Sequence, residues 1–167
     1  MGIEFELKEL LTERKLTLAT AESCTGGLVA ARIVNVPGSS EYFMGGIVAY
    51  DNSVKMKVLN VSAETLLKYG AVSEQTAREM VENVKKLLNT NCGISTTGIA
   101  GPTGGSDEKP VGLVYIGVSV NEKTEIYRFI FKDKHSDPVK RRNRIRKKAA
   151  KKAIKLLLSM LKEENDG

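Results

Sequence analysis

Three short apolar runs in this 167-residue chain each break into a polar loop and then into a second apolar segment. That alternation restricts the fold more than any other feature. Leu16 to Thr20 reads as a buried strand. It leads into Ser23-Cys24-Thr25-Gly26-Gly27, and Leu28 to Val34 continues as an apolar helix. Gly45 to Tyr50 reads as a second strand, followed by Asp51-Asn52-Ser53-Val54-Lys55 and short helices over Val54–Leu59 and Ala63–Lys68. Ile94 to Thr97 is a third strand, opening into a glycine-rich loop at 98–106. Strands that alternate with helices call for an α/β arrangement layered around a central sheet. Val111 to Val120 and Glu125 to Phe131 read as two further strands joined by Asn121-Glu122-Lys123, the second suited to an edge. Such a hairpin makes the sheet mixed rather than purely parallel. Helices are expected from Phe5 to Glu13, from an N-cap at Ser73 to about Leu88, and over about 139–162.

The length fits one domain over 1–167, long enough to bury roughly 70% of its unfolded surface. Apolar residues at 41% and charged residues at 28% fit a globular chain. The cysteines, Cys24 and Cys92, form no CxxC pair, which argues against a zinc ribbon or a disulfide framework. Cysteines this sparse suit a reducing cytoplasm, the expected location. No apolar run has the length of a membrane span, and the first residues carry neither a secretory nor a myristoylation pattern.

Net charge is +6 and unevenly placed. Residues 132–155 hold twelve Lys/Arg and two Asp, whereas the rest holds fourteen basic and eighteen acidic residues. Such a segment can meet nucleic acid, an anionic surface or a phosphorylated small molecule. Ile145, Ala149, Ala153, Leu156, Leu157, Met160 and Leu161 recur at helical spacing, so the lysines read mainly as the solvated face of one helix. No aromatic residue follows Pro138, and stacking readers of single strands need them. Nucleic acid is therefore disfavoured as a partner.

In open α/β sheets ligands bind beyond the carboxyl ends of strands, where all three polar loops would lie. Backbone N–H groups at the start of the helix after Gly27 could meet an anion, with Ser23 beside them as a nucleophile. The competing reading is that Ser23 or Thr25 caps that helix. A serine needs a base, and the only histidine, His135, sits in a charged loop apart from the cluster. Lys55 can substitute if burial lowers its pKa, and Tyr50 could donate a hydrogen bond nearby. Cys24 is the rival nucleophile, with Glu22 and Lys55 as partners in a Cys-Glu-Lys arrangement. The 98–106 loop is neither a P-loop nor GxGxxG, and no His or carboxylate cluster points to a metal.

Taken together, Thr20-Ala-Glu-Ser-Cys-Thr-Gly-Gly27, Val36-Pro-Gly-Ser-Ser40, Gly70-Ala-Val-Ser-Glu74, Thr97-Gly-Ile-Ala-Gly-Pro102, and Gly104-Gly105 with Lys109-Pro-Val-Gly112 resemble the CinA C-terminal domain family, in order and spacing, over about residues 5–162. The resemblance implies a three-layer α/β/α sandwich, in the stand-alone form without an N-terminal domain similar to molybdopterin-binding proteins. It implies hydrolysis of nicotinamide mononucleotide to nicotinate mononucleotide and ammonia, with no metal and no organic cofactor. It makes Ser23 the nucleophile, Lys55 its base and Tyr50 a neighbour. Thr25, Gly26, Gly27, Thr97, Gly98 and Gly101 would line the substrate. Arg142 and Arg146 fill the family's arginine pattern and could hold the phosphate, with the choice among Arg141, Arg142 and Arg144 open. The expected partner is a phosphorylated nucleotide, with no membrane and with a homo-oligomer left open. The alternative is a non-catalytic module that binds a nucleotide or nucleic acid.

Overall fold

The computed structural model describes residues 2–166. Its elements run α1 (Gly2–Arg14), β1 (Leu18–Glu22), α2 (Leu28–Val34), a 3-10 turn (Ser39–Glu41), β2 (Phe43–Val48), α3 (Asn52–Lys57), α4 (Ala63–Tyr69), α5 (Glu74–Leu88), β3 (Cys92–Gly98), β4 (Leu113–Val120), β5 (Lys123–Ile130) and α6 (Pro138–Asp166). The strands form one sheet in the order β2-β1-β3-β4-β5. β1 pairs in parallel with both β2 and β3, and β4 and β5 add antiparallel to their neighbours. The expected mixed sheet is present, and β5 lies at an edge.

Two cores cover the two faces of the sheet. On one, Leu7 and Leu11 of α1, Val29 and Ile33 of α2, and Ala149, Ala153 and Leu157 of α6 pack on Leu18, Ile94 and Ile116. On the other, Met80 and Val84 of α5 pack with Leu59 and Val61 against Ala19 and Ala21. The three layers are thus helices, sheet, helices. The inward face of α6 is the one its spacing implies, since Ile145, Ala149, Ala153, Leu157, Met160 and Leu161 are all buried. Leu156 only packs against the cluster from a partly buried position.

Strand periodicity decides which side chain serves which layer. Along β1, Leu18 faces α1, α2 and α6, while Ala19 and Ala21 face α5. Glu22 continues the Leu18 row and its carboxylate meets α2, so Ser23 falls to the opposite side. Along β3, Ile94 shares the α6 core, whereas Ser95 donates to Ala77 O of α5. The expected boundaries shift where caps and turns intervene. α3 starts at Asn52 rather than Val54 because the Asp51 carboxylate accepts from the Ser53 N–H at 3.0 Å. β4 starts at Leu113 rather than Val111 because Gly112, at φ +94°, packs its backbone against Phe131 O, where a Cβ would lie 2.0 Å away. β5 begins two residues early, at Lys123, since Val120 pairs directly with it.

Candidate active site

The carboxyl ends of β2, β1 and β3 lie side by side, so the three polar loops converge on one edge of the sheet. They enclose a cleft of about 320 Å³. Ser23, Lys55, Tyr50, Thr97, Gly98, Gly101 and Arg142 all line it. A larger groove of about 430 Å³, between the end of α5 and the β4–β5 turn, lies at the opposite end of the strands and holds none of them.

Lys55 is the central finding. It stands on α3 with only 1% of its surface exposed, and its Nζ lies 3.0 Å from Ser23 Oγ and 3.0 Å from the Tyr50 carbonyl oxygen. Burial pushes its pKa below the ordinary lysine value, opposed by Cys24 and, less strongly, by the negative charge of Asp51. The Tyr50 carbonyl can only accept, so one Nζ–H points to it. In the neutral amine the lone pair is then open to the Ser23 hydroxyl proton. Ser23 is itself buried, and its N–H donates to Thr96 O at 3.0 Å, which extends the strand pattern by one residue.

Arg142 reaches the cleft from the first turns of α6. Its Nη1 donates to Gly101 O at 2.7 Å and its Nη2 to the Tyr50 hydroxyl at 3.0 Å. The rest of its five N–H donors remain for a ligand. Tyr50 therefore touches the lysine through its carbonyl and the arginine through its ring hydroxyl. The other candidate arginines are engaged elsewhere: Arg141 with His135 O, and Arg144 with Asp133. Arg146 donates to Cys24 O and Thr25 O. Thr97 is buried and its hydroxyl donates to Ala71 O at 2.7 Å, tying the turn before α5 to the floor of the cleft. Gly98 has no room for a side chain, since a Cβ would lie 2.6 Å from Leu113 O.

The structure corrects three expectations. Thr25, Gly26 and Gly27 do not line the cleft. Thr25 is fully buried and its hydroxyl donates to Glu22, with the Thr96 hydroxyl against it. The Gly26 N–H donates to Ser23 O and the Gly27 N–H to Glu22 Oε1, so neither can meet an oxyanion. The cap of α2 is neither Ser23 nor Thr25. Glu22, reaching from the end of β1, accepts from the N–H groups of Gly27, Val29 and Ala30. A carboxylate is well suited to the positive end of a helix. That use removes Glu22 from any Cys-Glu-Lys arrangement. Burial also pushes the Cys24 thiol up to about 12, so it is a poor nucleophile.

Cys24, Ile99, Ala100 and Gly104 also line the cleft, as do Asn52, Ala71, Val72 and Thr103, to which the sequence assigns no individual site role. Asn52 reads there only as a helix start. Ala71 and Val72 carry no chemical signal, and they reach the site through the bond from Thr97 to Ala71 O and through the Ser73 and Thr76 hydroxyls that hold Gly70 O.

Comparison with known proteins identifies the family and the fold. The family model described as the CinA C-terminal domain matches residues 2–161. The chain is 58% identical over 125 residues to a CinA-like protein of Kosmotoga olearia, covering 75% of this chain and 30% of that one. It thus spans about a third of the length of the curated relatives it matches. Among solved structures, a competence-damaged protein (CinA) superfamily protein of Klebsiella pneumoniae superposes with a TM-score of 0.89 at 30% identity, over 97% of both chains. A competence/damage inducible protein of Agrobacterium tumefaciens superposes at 0.85 with 36% identity, over 95% of both. With the match running through every strand and loop that builds the cleft, the chain belongs to the CinA C-terminal domain family.

Proposed function

We propose that the protein is an amidase that hydrolyses the carboxamide of nicotinamide mononucleotide to nicotinate mononucleotide and ammonia. The observation that carries this reading is the buried Lys55 amine held 3.0 Å from Ser23 Oγ at the wall of a cleft. Desolvation disfavours the ammonium form, so the amine beside Ser23 is available in its neutral form as a base.

In the proposed reaction neutral Lys55 takes the hydroxyl proton as Ser23 Oγ attacks the carboxamide carbon. The tetrahedral oxyanion collapses, the C–N bond breaks, and Lys55 returns the proton to the departing ammonia. A nicotinoyl ester remains on Ser23. Water, deprotonated by the same amine, attacks that ester, and the serine leaves with the proton. Arg142, with N–H donors left over beside Tyr50, is suited to the 5′-phosphate, and a guanidinium fork fixes both charge and direction. Thr97 and Gly98 supply the floor against which the ring would lie.

The test is ammonia release from nicotinamide mononucleotide by the purified protein, with Ser23→Ala and Lys55→Met alongside. Turnover that both substitutions abolish, while circular dichroism stays unchanged, supports the reading. A folded wild-type protein that releases no ammonia refutes it.

A further inference from the structure

The turn after Ser23 is held from outside by one side chain that plays no part in the cleft lining. Arg146, one helical turn beyond Arg142 on α6, donates from Nε to Cys24 O at 2.9 Å and from Nη2 to Thr25 O at 3.1 Å. Its Nη1 donates to Asn143 Oδ1 at 2.9 Å, which sets the plane of the guanidinium. Gly26, at φ +58°, lies directly under it, and a Cβ there would stand 2.8 Å from Nη2. The tight turn and the arginine thus fit each other.

The two peptides bonded by Arg146 are trans. In a trans peptide the N–H points opposite to the C=O. Fixing Cys24 O on Arg146 therefore turns the Thr25 N–H to the other side of the chain. Fixing Thr25 O likewise turns the Gly26 N–H, which closes onto Ser23 O at 3.1 Å. Ser23 O held in this way orients the Cys24 N–H in the opposite direction. Among the described residues, the N–H groups of Cys24 and Thr25 make no hydrogen bond to another residue, unlike those of Gly26, Gly27, Val29 and Ala30. They are the unspent donors directly after the candidate nucleophile.

We propose that Arg146 is a positioning residue, a clamp on the Cys24 and Thr25 carbonyls that presents the N–H of Cys24, which lines the cleft beside Ser23, to the oxyanion formed at Ser23. The catalytic half of this assignment rests on the amidase reading, whereas the clamp itself does not. The two arginines of α6 then have separate roles, since Arg142 faces the ligand and Arg146 shapes the turn. Lysine at 146 could reach one carbonyl but could not span both in one plane.

Two measurements test it, with Arg144→Met as a control on the same helix. Amide hydrogen exchange over residues 23–27 needs no substrate. It should rise at least tenfold in Arg146→Met and less in Arg146→Lys, with the rest of the sheet unchanged. Unchanged exchange in both variants overturns the clamp whether or not the protein is an amidase. In steady-state kinetics with nicotinamide mononucleotide, Arg146→Met should lower kcat by about 10–100-fold, the scale of a misplaced oxyanion donor, with KM within about twofold. Arg146→Lys should fall between, and the pH midpoint set by Lys55 should not move. A rise in KM with kcat retained overturns the proposal and makes Arg146 a phosphate ligand. Exchange that rises while kcat and KM both stay at wild-type values also overturns it. Wild-type protein without turnover would refute the amidase reading alone, with the exchange result still deciding the clamp.

Discussion

Glu22 offers the sharpest test of how the nucleophile is placed, because its carboxylate is 1% exposed and holds four donors at once. Glu22→Ala would leave the Val29 N–H buried without a partner, at about 1–3 kcal/mol. The Gly27 and Ala30 N–H groups are only partly buried and can turn to water, at about 0.5–1 kcal/mol each. The Thr25 hydroxyl keeps Thr96 and loses little. Loss of the buried side-chain stem adds about 1 kcal/mol. Relief of a desolvated charge works in the opposite direction, so the expected net loss is about 3–4 kcal/mol. For a chain of this length that lowers Tm by about 6–16 °C. Glu22→Gln keeps the stem and one acceptor oxygen, but its NH2 must confront a helix N–H that needs an acceptor, at about 1–2 kcal/mol. Urea unfolding followed by circular dichroism measures both. If the two variants fall within about 0.5 kcal/mol of wild type, the carboxylate is not what starts α2, and the account of the turn beneath Ser23 fails.

Four further outcomes follow from the site. Because burial lowers the Lys55 pKa, kcat/KM should rise with pH to a midpoint below the ordinary lysine value, and a midpoint at or above it would contradict the buried amine. In the same window the unfolded chain binds more protons than the folded one, so wild-type stability should climb with pH relative to Lys55→Met, and parallel curves would refute this. Cys24→Ala should keep turnover within about threefold, and iodoacetamide at pH 8 should leave activity intact, since a thiol pushed up to about 12 carries almost no thiolate there; loss of activity in either experiment would revive Cys24. Arg142→Lys should raise KM for nicotinamide mononucleotide by about tenfold or more while leaving hydrolysis of nicotinamide itself unchanged, and equal effects on both amides would remove the phosphate from this residue.

Much of this architecture is written in local sequence. Alternating apolar runs and glycine-bearing loops specify an α/β sheet, and Val111 to Phe131 specifies its antiparallel flank. The spacing from Ile145 to Leu161 specifies which side of α6 is buried. These signals are short-range, each carried by neighbours within a turn of helix or a few residues of strand. The three chemical segments are legible as polar loops at strand ends, but only their joint order and spacing, through the family resemblance, give Ser23 and Lys55 their expected roles.

What the sequence could not carry is direction. Whether Glu22 serves a lysine or a helix depends on the strand period that places it on the α2 side of β1 while Ser23 takes the other. Arg142 and Arg146 look alike in the chain and share one face of α6, yet a rise of about 6 Å along the helix sends one to the cleft and the other to the back of the turn. The burial of Lys55 is likewise a property of the assembled sheet edge, where three parallel strand ends meet. Residue type and spacing determine which groups are present. Only close packing of distant segments decides which are dry, which are paired and which still have a hydrogen bond to give.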